Sequence, residues 1–325
     1  MKALQIIAPG QSVIIDVPMP HPGPGQVLLR IEAVTTCPQW DLHLRHNEPM
    51  FVGHRFVFPY PPGQPGHEAT GEIAAIGSGV VDLKPGDCVS AWRDAGQTIP
   101  GCYAQYVVHH AENVIRVPAK LPPEAVAPLE LAMCVGSTFL MLRSMDAVKG
   151  RRFAVSGLGP AGLIALQMAR AEGASTVHGF DFNATRREYA LTVGLDAASD
   201  PREPTTNVFP ARPAASAIDC AIDCVGGRSS AQFLMDHTAD VVALFGVQRE
   251  DYTFSPRHYR GLRLCGYPGH HRAAAEYALD LIRRDLLDLS PLVTHHLPLE
   301  RYQEGIDLLE RQEAIKVCFY PWRDS

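Results

Sequence analysis

The sequence predicts an α/β protein of two domains, one β-rich and the other a doubly wound parallel sheet. Three observations carry this prediction. The first ~125 residues are short alternating apolar runs bounded by Gly and Pro. From Phe153 onward, strand-like and helix-like runs alternate. Near the C-terminus one further strand-like run follows two helical stretches. At 325 residues the chain is long for one core and sufficient for two.

In the β-rich part, SVIIDV (12–17), QVLLRIEAV (26–34), GEIAAIG (71–77), DCVSAW (87–92) and AQYVVHH (104–110) read as strands. Residues 47–64 are rich in Pro, Phe and Gly, lack a clear period, and read as a long loop. Two readings stay open for it, a substrate entrance or a surface loop packed on itself. FAVSG then gives a short apolar strand, and GPAGLIALQMARAEG a helix. STVHGFD, AIDCAIDCV, ADVVALFGV and GLRLCGY supply further strands, with NATRREYALTVG a helix between the first two. Strands alternating with helices call for a parallel sheet covered on both faces. An amphipathic stretch (272–285), a helix (299–310) and the strand IKVCFY close the sequence. The expected division is 1–133 with 267–325 for the β-rich domain, and 134–266 for the nucleotide-binding one.

Composition narrows the function. The chain is 46% hydrophobic and 20% charged, with 35 acidic against 29 basic residues and a formal charge of −6. No basic block occurs, which argues against nucleic acid and anionic membranes as partners. Eight dispersed cysteines are too sparse for a disulfide framework and read as reduced thiols, consistent with a cytoplasmic protein. The opening MKALQIIAPG has too short an apolar run for a signal peptide. The longest apolar stretch (125–142) carries Pro128, Glu130 and two hydroxyls, so a membrane span is not expected.

Gly157-Leu158-Gly159-Pro160-Ala161-Gly162 fits G-x-G-x-x-G between an apolar strand and a helix, the setting that gives this motif its meaning. The first Gly makes the tight turn, the second lets backbone approach a pyrophosphate, and the third lets helix and strand pack. The helix N-terminus then faces the anion. Asp181, at the end of the next strand, is placed to bind both hydroxyls of an adenosine ribose and repel a 2′-phosphate, which favours NAD(H). Arg186 is placed to cover the adenine or to soften that discrimination.

Cys37, the triplet Gly66-His67-Glu68, and Cys134 supply two thiolates and one imidazole. That set suits zinc and leaves one tetrahedral position open. Here the sequence resembles the zinc-dependent alcohol dehydrogenases of the medium-chain dehydrogenase/reductase superfamily. Pro65-Gly66-His67-Glu68-Ala69-Thr70-Gly71-Glu72 resembles the family's GHE box, and Cys134-Val135-Gly136-Ser137-Thr138 its third-ligand segment. Gly77-Ser78-Gly79-Val80, Leu83-Lys84-Pro85-Gly86-Asp87 and the closing Ser290-Pro291-Leu292-Val293-Thr294-His295 extend the likeness almost end to end.

The resemblance implies a GroES-like catalytic domain joined to a Rossmann-type domain. It implies one catalytic Zn2+ held by Cys37, His67 and Cys134, with NAD(H) as coenzyme, an alcohol or its carbonyl as substrate, and a homodimer or homotetramer. Glu130 competes with Cys134, because polyol dehydrogenases of the family place a Glu there; spacing and coordination favour Cys134. Asp41 is expected to fix the tautomer of His67, with a helix N-cap or turn role as its alternative. Glu68 is expected as an outer-sphere carboxylate or occasional ligand, and Ser137 or Thr138 as orienting substrate or nicotinamide. Val225 falls in the turn that meets the nicotinamide in the family.

Departures from the family are also legible. One extra residue separates Cys37 from Asp41, and Gln39 stands where a relay hydroxyl is expected, which puts proton exit through His43 in doubt. Only Cys88 and Cys102 fall in the region of the family's four-cysteine lobe, so no structural zinc is expected. The doublets His109-His110, His270-His271 and His295-His296 are expected at the surface or rim. A zinc-free quinone or enoyl reductase of the superfamily is the alternative, but it predicts neither Cys37 nor the GHE box. A catalytically silent relative is the other, supported only by the altered Cys37 loop.

Overall fold

The computed structural model describes residues 1–94, 96–203 and 218–323. In chain order the elements are β1 (Lys2–Ala8), β2 (Gln11–Asp16), β3 (Gln26–Thr35), α1 (Pro38–His46), β4 (Glu68–Ile76), β5 (Cys88–Ala91), β6 (Tyr106–His110) and β7 (Val114–Arg116). The middle of the chain forms α2 (Leu129–Ser144), β8 (Arg152–Ser156), α3 (Pro160–Ala171), β9 (Thr176–Phe180), α4 (Ala184–Thr192) and β10 (Ala197–Ser199). It continues with β11 (Ile218–Asp223), α5 (Arg228–His237), β12 (Thr238–Leu244), β13 (Arg263–Gly266) and α6 (Arg272–Arg283). The chain then forms β14 (Val293–Pro298), α7 (Tyr302–Glu310) and β15 (Lys316–Tyr320).

Two compact units result, 1–131 with 289–325, and 132–288. Residues 267–288, expected with the β-rich part, group with the second unit. The reason is the packing of α6: its apolar residues Ala274, Ala278 and Leu279 are buried. A Cβ on Gly136 of α2 would stand 3.1 Å from the Tyr277 ring and 3.3 Å from the Ala274 carbonyl oxygen. The missing side chain at Gly136 lets the two helices approach this closely.

The first unit holds the hairpin β1–β2 and a seven-stranded sheet in the order β14-β15-β3-β4-β5-β7, with β6 also paired to β3. Its strands are antiparallel except for the β14–β15 pair. Val27, Leu29, Ile31 and Val34 of β3, Ile73 of β4 and Val89 of β5 build the core, joined by Ile306 of α7 and Phe319 of β15. Gly71 is needed where β4 crosses β3, because a Cβ there would meet the Arg30 carbonyl oxygen at 2.0 Å.

Helix α1 was not legible as a helix. Pro38 opens it at a position whose N–H has no helical partner anyway, and Asn47 closes it in the left-handed region at φ 54. The 47–64 segment is a loop packed on itself and on α1. Trp40 meets Phe51, His54 and Phe56 edge-on at 6.1, 5.9 and 6.3 Å, and His54 meets Phe56 at 4.7 Å.

The second unit is a six-stranded, wholly parallel sheet in the order β10-β9-β8-β11-β12-β13. The order reverses between β8 and β11, so the carboxyl ends of those strands flank a topological switch point. Residues 123–144 are long and apolar enough to cross a bilayer, but 83% of that window is buried inside the protein. A helix apolar on all sides and covered in this way is a core helix.

Candidate metal and nucleotide sites

Cys37 ends the extended run after β3 and serves as the residue preceding the first turn of α1. His67 precedes β4, and Glu68 is that strand's first residue. One ligand atom from each of the three lies within 4.8 Å of the others. The His67 ring is fixed by its own backbone: Nδ1 lies 2.7 Å from the Pro65 carbonyl oxygen. A carbonyl only accepts, so Nδ1 carries a proton and Nε2 is the ring atom left for a metal, which would take the place of its proton. Nε2 stands 3.8 Å from Oε2 of Glu130, which is buried. Burial works against a charge on His67, yet the hydrogen bond to Cys37 and the charges of Glu130, Cys37 and Glu68 outweigh it, and its pKa stands well above the ordinary value. The donors therefore favour a positive charge at this place, whether proton or metal ion.

Asp41 does not orient His67, a correction to the expected pairing. Its Oδ2 accepts the Cys37 backbone N–H at 2.9 Å, and its carboxylate accepts the hydroxyls of Tyr302 at 2.8 Å and Tyr103 at 3.0 Å. Asp41 thus holds the ligand loop, and the Pro65 carbonyl has taken the ring. Burial pushes the Asp41 pKa up to about 6 against the lowering effect of those donors.

Glu68 is likewise committed. Lys316 Nζ donates to both of its oxygens at 2.6 Å and to the Thr36 carbonyl at 2.6 Å, and Thr35 Oγ1 adds a bond of 3.0 Å. Both partners of this ion pair are fully buried. Nothing in a strand-like IKVCFY or a helix start marks Lys316 as facing Glu68 or Tyr302 as facing Asp41. The only available signal was a lysine inside an otherwise apolar strand.

His43 Nε2 faces the Gln39 side-chain amide at 3.1 Å, and Nδ1 lies 3.2 Å from the Glu48 carbonyl oxygen. A primary amide does not pass a proton on as a hydroxyl does, so the departure noted at Gln39 has a structural counterpart.

Helix α2 carries Glu130 and, one turn later, Cys134; the division between the units falls between them. Within the second unit, Cys134 Sγ lies 3.3 Å from His270 Nε2. Ser137 Oγ donates to the Gly269 carbonyl at 2.7 Å and lies 3.0 Å from His271 Nε2. Thr138 Oγ1 is buried and has no hydrogen-bond partner among the described residues. The surface or rim expectation for the histidine doublets fails at one place, His109. His270 is exposed and His271 half-buried, both beside α2, since the turn after β13 is bonded to Ser137. His109 is buried with its Nε2 3.5 Å from Cys102 Sγ, because the inward face of β6 falls on it. His110 is exposed, and His296 Nδ1 bonds the Tyr320 hydroxyl at 2.8 Å.

The glycine motif forms the β8–α3 turn. Gly157 has φ +86, and a Cβ there would meet the Val225 side chain at 2.7 Å. A Cβ on Gly162 would stand 1.9 Å from the Gly157 carbonyl oxygen. Gly159 precedes α3, Pro160 opens it, and no side chain among the described residues caps its first turn. Leu158 is buried, and Ala161 continues the turn. Asp181 accepts the Leu158 N–H at 2.8 Å and the Asn183 N–H at 2.8 Å, so the carboxylate is anchored across the turn. The Arg186 guanidinium hangs over Gly159, 3.8 Å from the place of a Cβ. Val225 is exposed beside Gly157, in a turn tied by the buried Asp223, which accepts the amides of Val225 and Gly226, the Ser230 hydroxyl and the Gln248 amide. The sequence pattern marks Asp223 only as part of a packed strand; its place at the carboxyl end of β11 is the available clue.

Two family profiles match in tandem: the alcohol dehydrogenase GroES-like domain over residues 23–119 and zinc-binding dehydrogenase over residues 160–284. The chain is 27% identical to L-threonine 3-dehydrogenase of Thermococcus kodakarensis, across 99% of this chain and 98% of that protein. It is 29% identical to the L-threonine 3-dehydrogenase of an Anaeromyxobacter species, across 95% and 96%. Among solved structures it shares its fold with 2R,3R-butanediol dehydrogenase of Bacillus subtilis, at TM-score 0.85, 21% identity and coverage of 98% and 99%. Galactitol-1-phosphate dehydrogenase of Escherichia coli gives TM-score 0.83 at 20% identity, covering 99% of this chain and 100% of that one.

Proposed function

We infer the roles of individual residues from one premise: the chain belongs to the medium-chain dehydrogenase/reductase superfamily, in its zinc-dependent alcohol dehydrogenase family. It is an NAD-dependent oxidoreductase that moves a hydride between the coenzyme and an alcohol or its carbonyl partner. We propose that Cys37, His67 and Cys134 hold its zinc. The observation that carries this reading is the Cys37–His67–Glu68 group, with His67 Nδ1 bonded to Pro65 so that Nε2 is the atom left for the metal.

When bound, zinc supplies the Lewis acidity that lowers the pKa of a substrate hydroxyl. The chain does the positioning. Asp41, with Tyr103 and Tyr302, fixes the backbone of Cys37; Pro65 fixes the ring of His67; Lys316 neutralises Glu68 behind both. Gly157 through Gly162 and the uncapped start of α3 bind the pyrophosphate, Asp181 takes the ribose hydroxyls, and Arg186 lies over the phosphates or adenine. Thr138, whose hydroxyl has no partner among the described residues, orients the substrate or the nicotinamide, while Ser137 holds the turn at Gly269. With Gln39 across His43 Nε2, the substrate proton leaves through water.

Metal analysis with NADH fluorescence titration tests this reading on the wild type, Cys134→Ala and Glu130→Ala. One zinc per chain, lost in Cys134→Ala and kept in Glu130→Ala, supports it. The opposite pattern supports a second reading, in which Glu130 is the third ligand, favoured by its 3.8 Å approach to His67. NADH binding without zinc overturns both. The names of the relatives make L-threonine the first alcohol to assay. The family resemblance further supports a cytoplasmic homodimer or homotetramer, which light scattering on the eluting protein tests.

A further inference from the structure

We propose that His270 is a protein ligand of the zinc beside Cys134. The inference rests on the reading of Cys134 as a metal ligand. With Zn–S about 2.3 Å and Zn–N about 2.0 Å, two ligand atoms on one tetrahedral ion stand ~3.5 Å apart. Cys134 Sγ and His270 Nε2 are 3.3 Å apart, close to that edge length. Thiolate with imidazole is also a donor pair that selects zinc over hard cations.

The imidazole is held at that place. Its turn follows β13, and Gly269, at φ +95, gives the left-handed backbone that the bend requires. Ser137, three residues after Cys134 and therefore on the same face of α2, anchors both neighbours of His270. Its hydroxyl donates to Gly269 and meets the ring of His271. Tyr267 meets the His270 ring edge-on at 5.8 Å. Two hydrogen bonds and a ring contact thus fix an exposed histidine beside a buried cysteine, the pre-arrangement that ligation rewards.

Cobalt substitution tests the proposal on the full chain, read by the visible d–d and thiolate charge-transfer bands and by the rate of metal transfer to a chelator. His270→Ala and His270→Gln are compared with the wild type, with Cys134→Ala as the reference for losing a ligand. The proposal expects both His270 variants to shift the d–d bands and to release metal at least about tenfold faster, since even outer-shell partners contribute that much. Added imidazole restores the wild-type spectrum in His270→Ala. Unchanged spectra and release rates in both variants, with Cys134→Ala altered, overturn the role of His270 and leave the zinc reading standing. A wild-type protein without stoichiometric metal overturns both.

Discussion

Lys316→Met should be one of the most damaging single substitutions in the first unit. Lys316 and Glu68 are both fully buried, and the ammonium serves two carboxylate oxygens and the Thr36 carbonyl at 2.6 Å. Removing one partner of a buried pair leaves the other charge without compensation, at about 3–5 kcal/mol. A domain of this size loses about 2–4 °C in Tm per kcal/mol, so the unfolding transition of this unit should fall by on the order of 10 °C. Burial already raises the Glu68 pKa even with Lys316 opposing it, and without the lysine the carboxyl rises further. An acid with a raised folded pKa loses stability as pH rises, so the deficit should deepen above the ordinary glutamate range. Glu68→Gln combined with Lys316→Met removes both charges and should recover at least about half of the loss, since a neutral pair avoids the uncompensated ion. Calorimetry of the wild type, the single and the double variant across pH gives the answer. A loss below about 1 kcal/mol in the single variant, or no recovery in the double, refutes the reasoning.

Burial lowers the His109 pKa to about 4, so this ring is neutral in the folded chain where an unfolded chain would bind a proton. Its contribution is present above pH 6.5 and is lost as pH falls towards 4, by up to ~3 kcal/mol; His109→Leu should flatten that slope in acid denaturation. Gly162→Ala places a Cβ 1.9 Å from the Gly157 carbonyl oxygen. Overpacking of that kind costs about 1–3 kcal/mol, so fluorescence titration should show NADH bound roughly ten- to a hundredfold more weakly. Asp181→Ser removes the charge that opposes a 2′-phosphate, and hydrogen bonds to a charged group contribute about 1.5–3 kcal/mol, so the preference for NADH over NADPH should fall by at least about tenfold.

The second unit was largely legible because its rules are local. A parallel strand buried on both faces reads as a continuous apolar run, and the glycine motif works only at the strand–helix junction where it was found. Its limit was α6, whose partner at Gly136 lies far away in sequence; periodicity shows that a helix is amphipathic, not which core receives its apolar face. In the first unit, Cys37 and His67 were legible as donors because residue type alone narrows zinc chemistry. Helix α1 was not, since Trp40, Asp41 and His43 make a poor apolar stripe. Its closure comes from Asn47 and from the pairing of Arg45 with Asp307 and Glu310 on α7.

What surrounds the donors was hidden for a common reason: it comes from the far end of the chain. Lys316 reaches Glu68 because β15 and β4 pair with opposite edges of β3, both at Thr35, and Tyr302 reaches Asp41 from the first turn of α7. Each carries polar atoms inside an element that composition marks as apolar core. Sequence pattern identifies the ligands through their own chemistry, whereas the groups that hold the ligands are defined only by register. The Pro65 carbonyl shows this most sharply. The Asp41 carboxylate is the expected partner of His67, and a backbone oxygen two residues away takes the place. Proximity along the chain gave that oxygen the shorter path, and it released Asp41 to anchor Cys37 through its amide. The same division accounts for His270: a histidine doublet with no cysteine nearby in sequence reads as surface, until the turn after β13 brings it to α2.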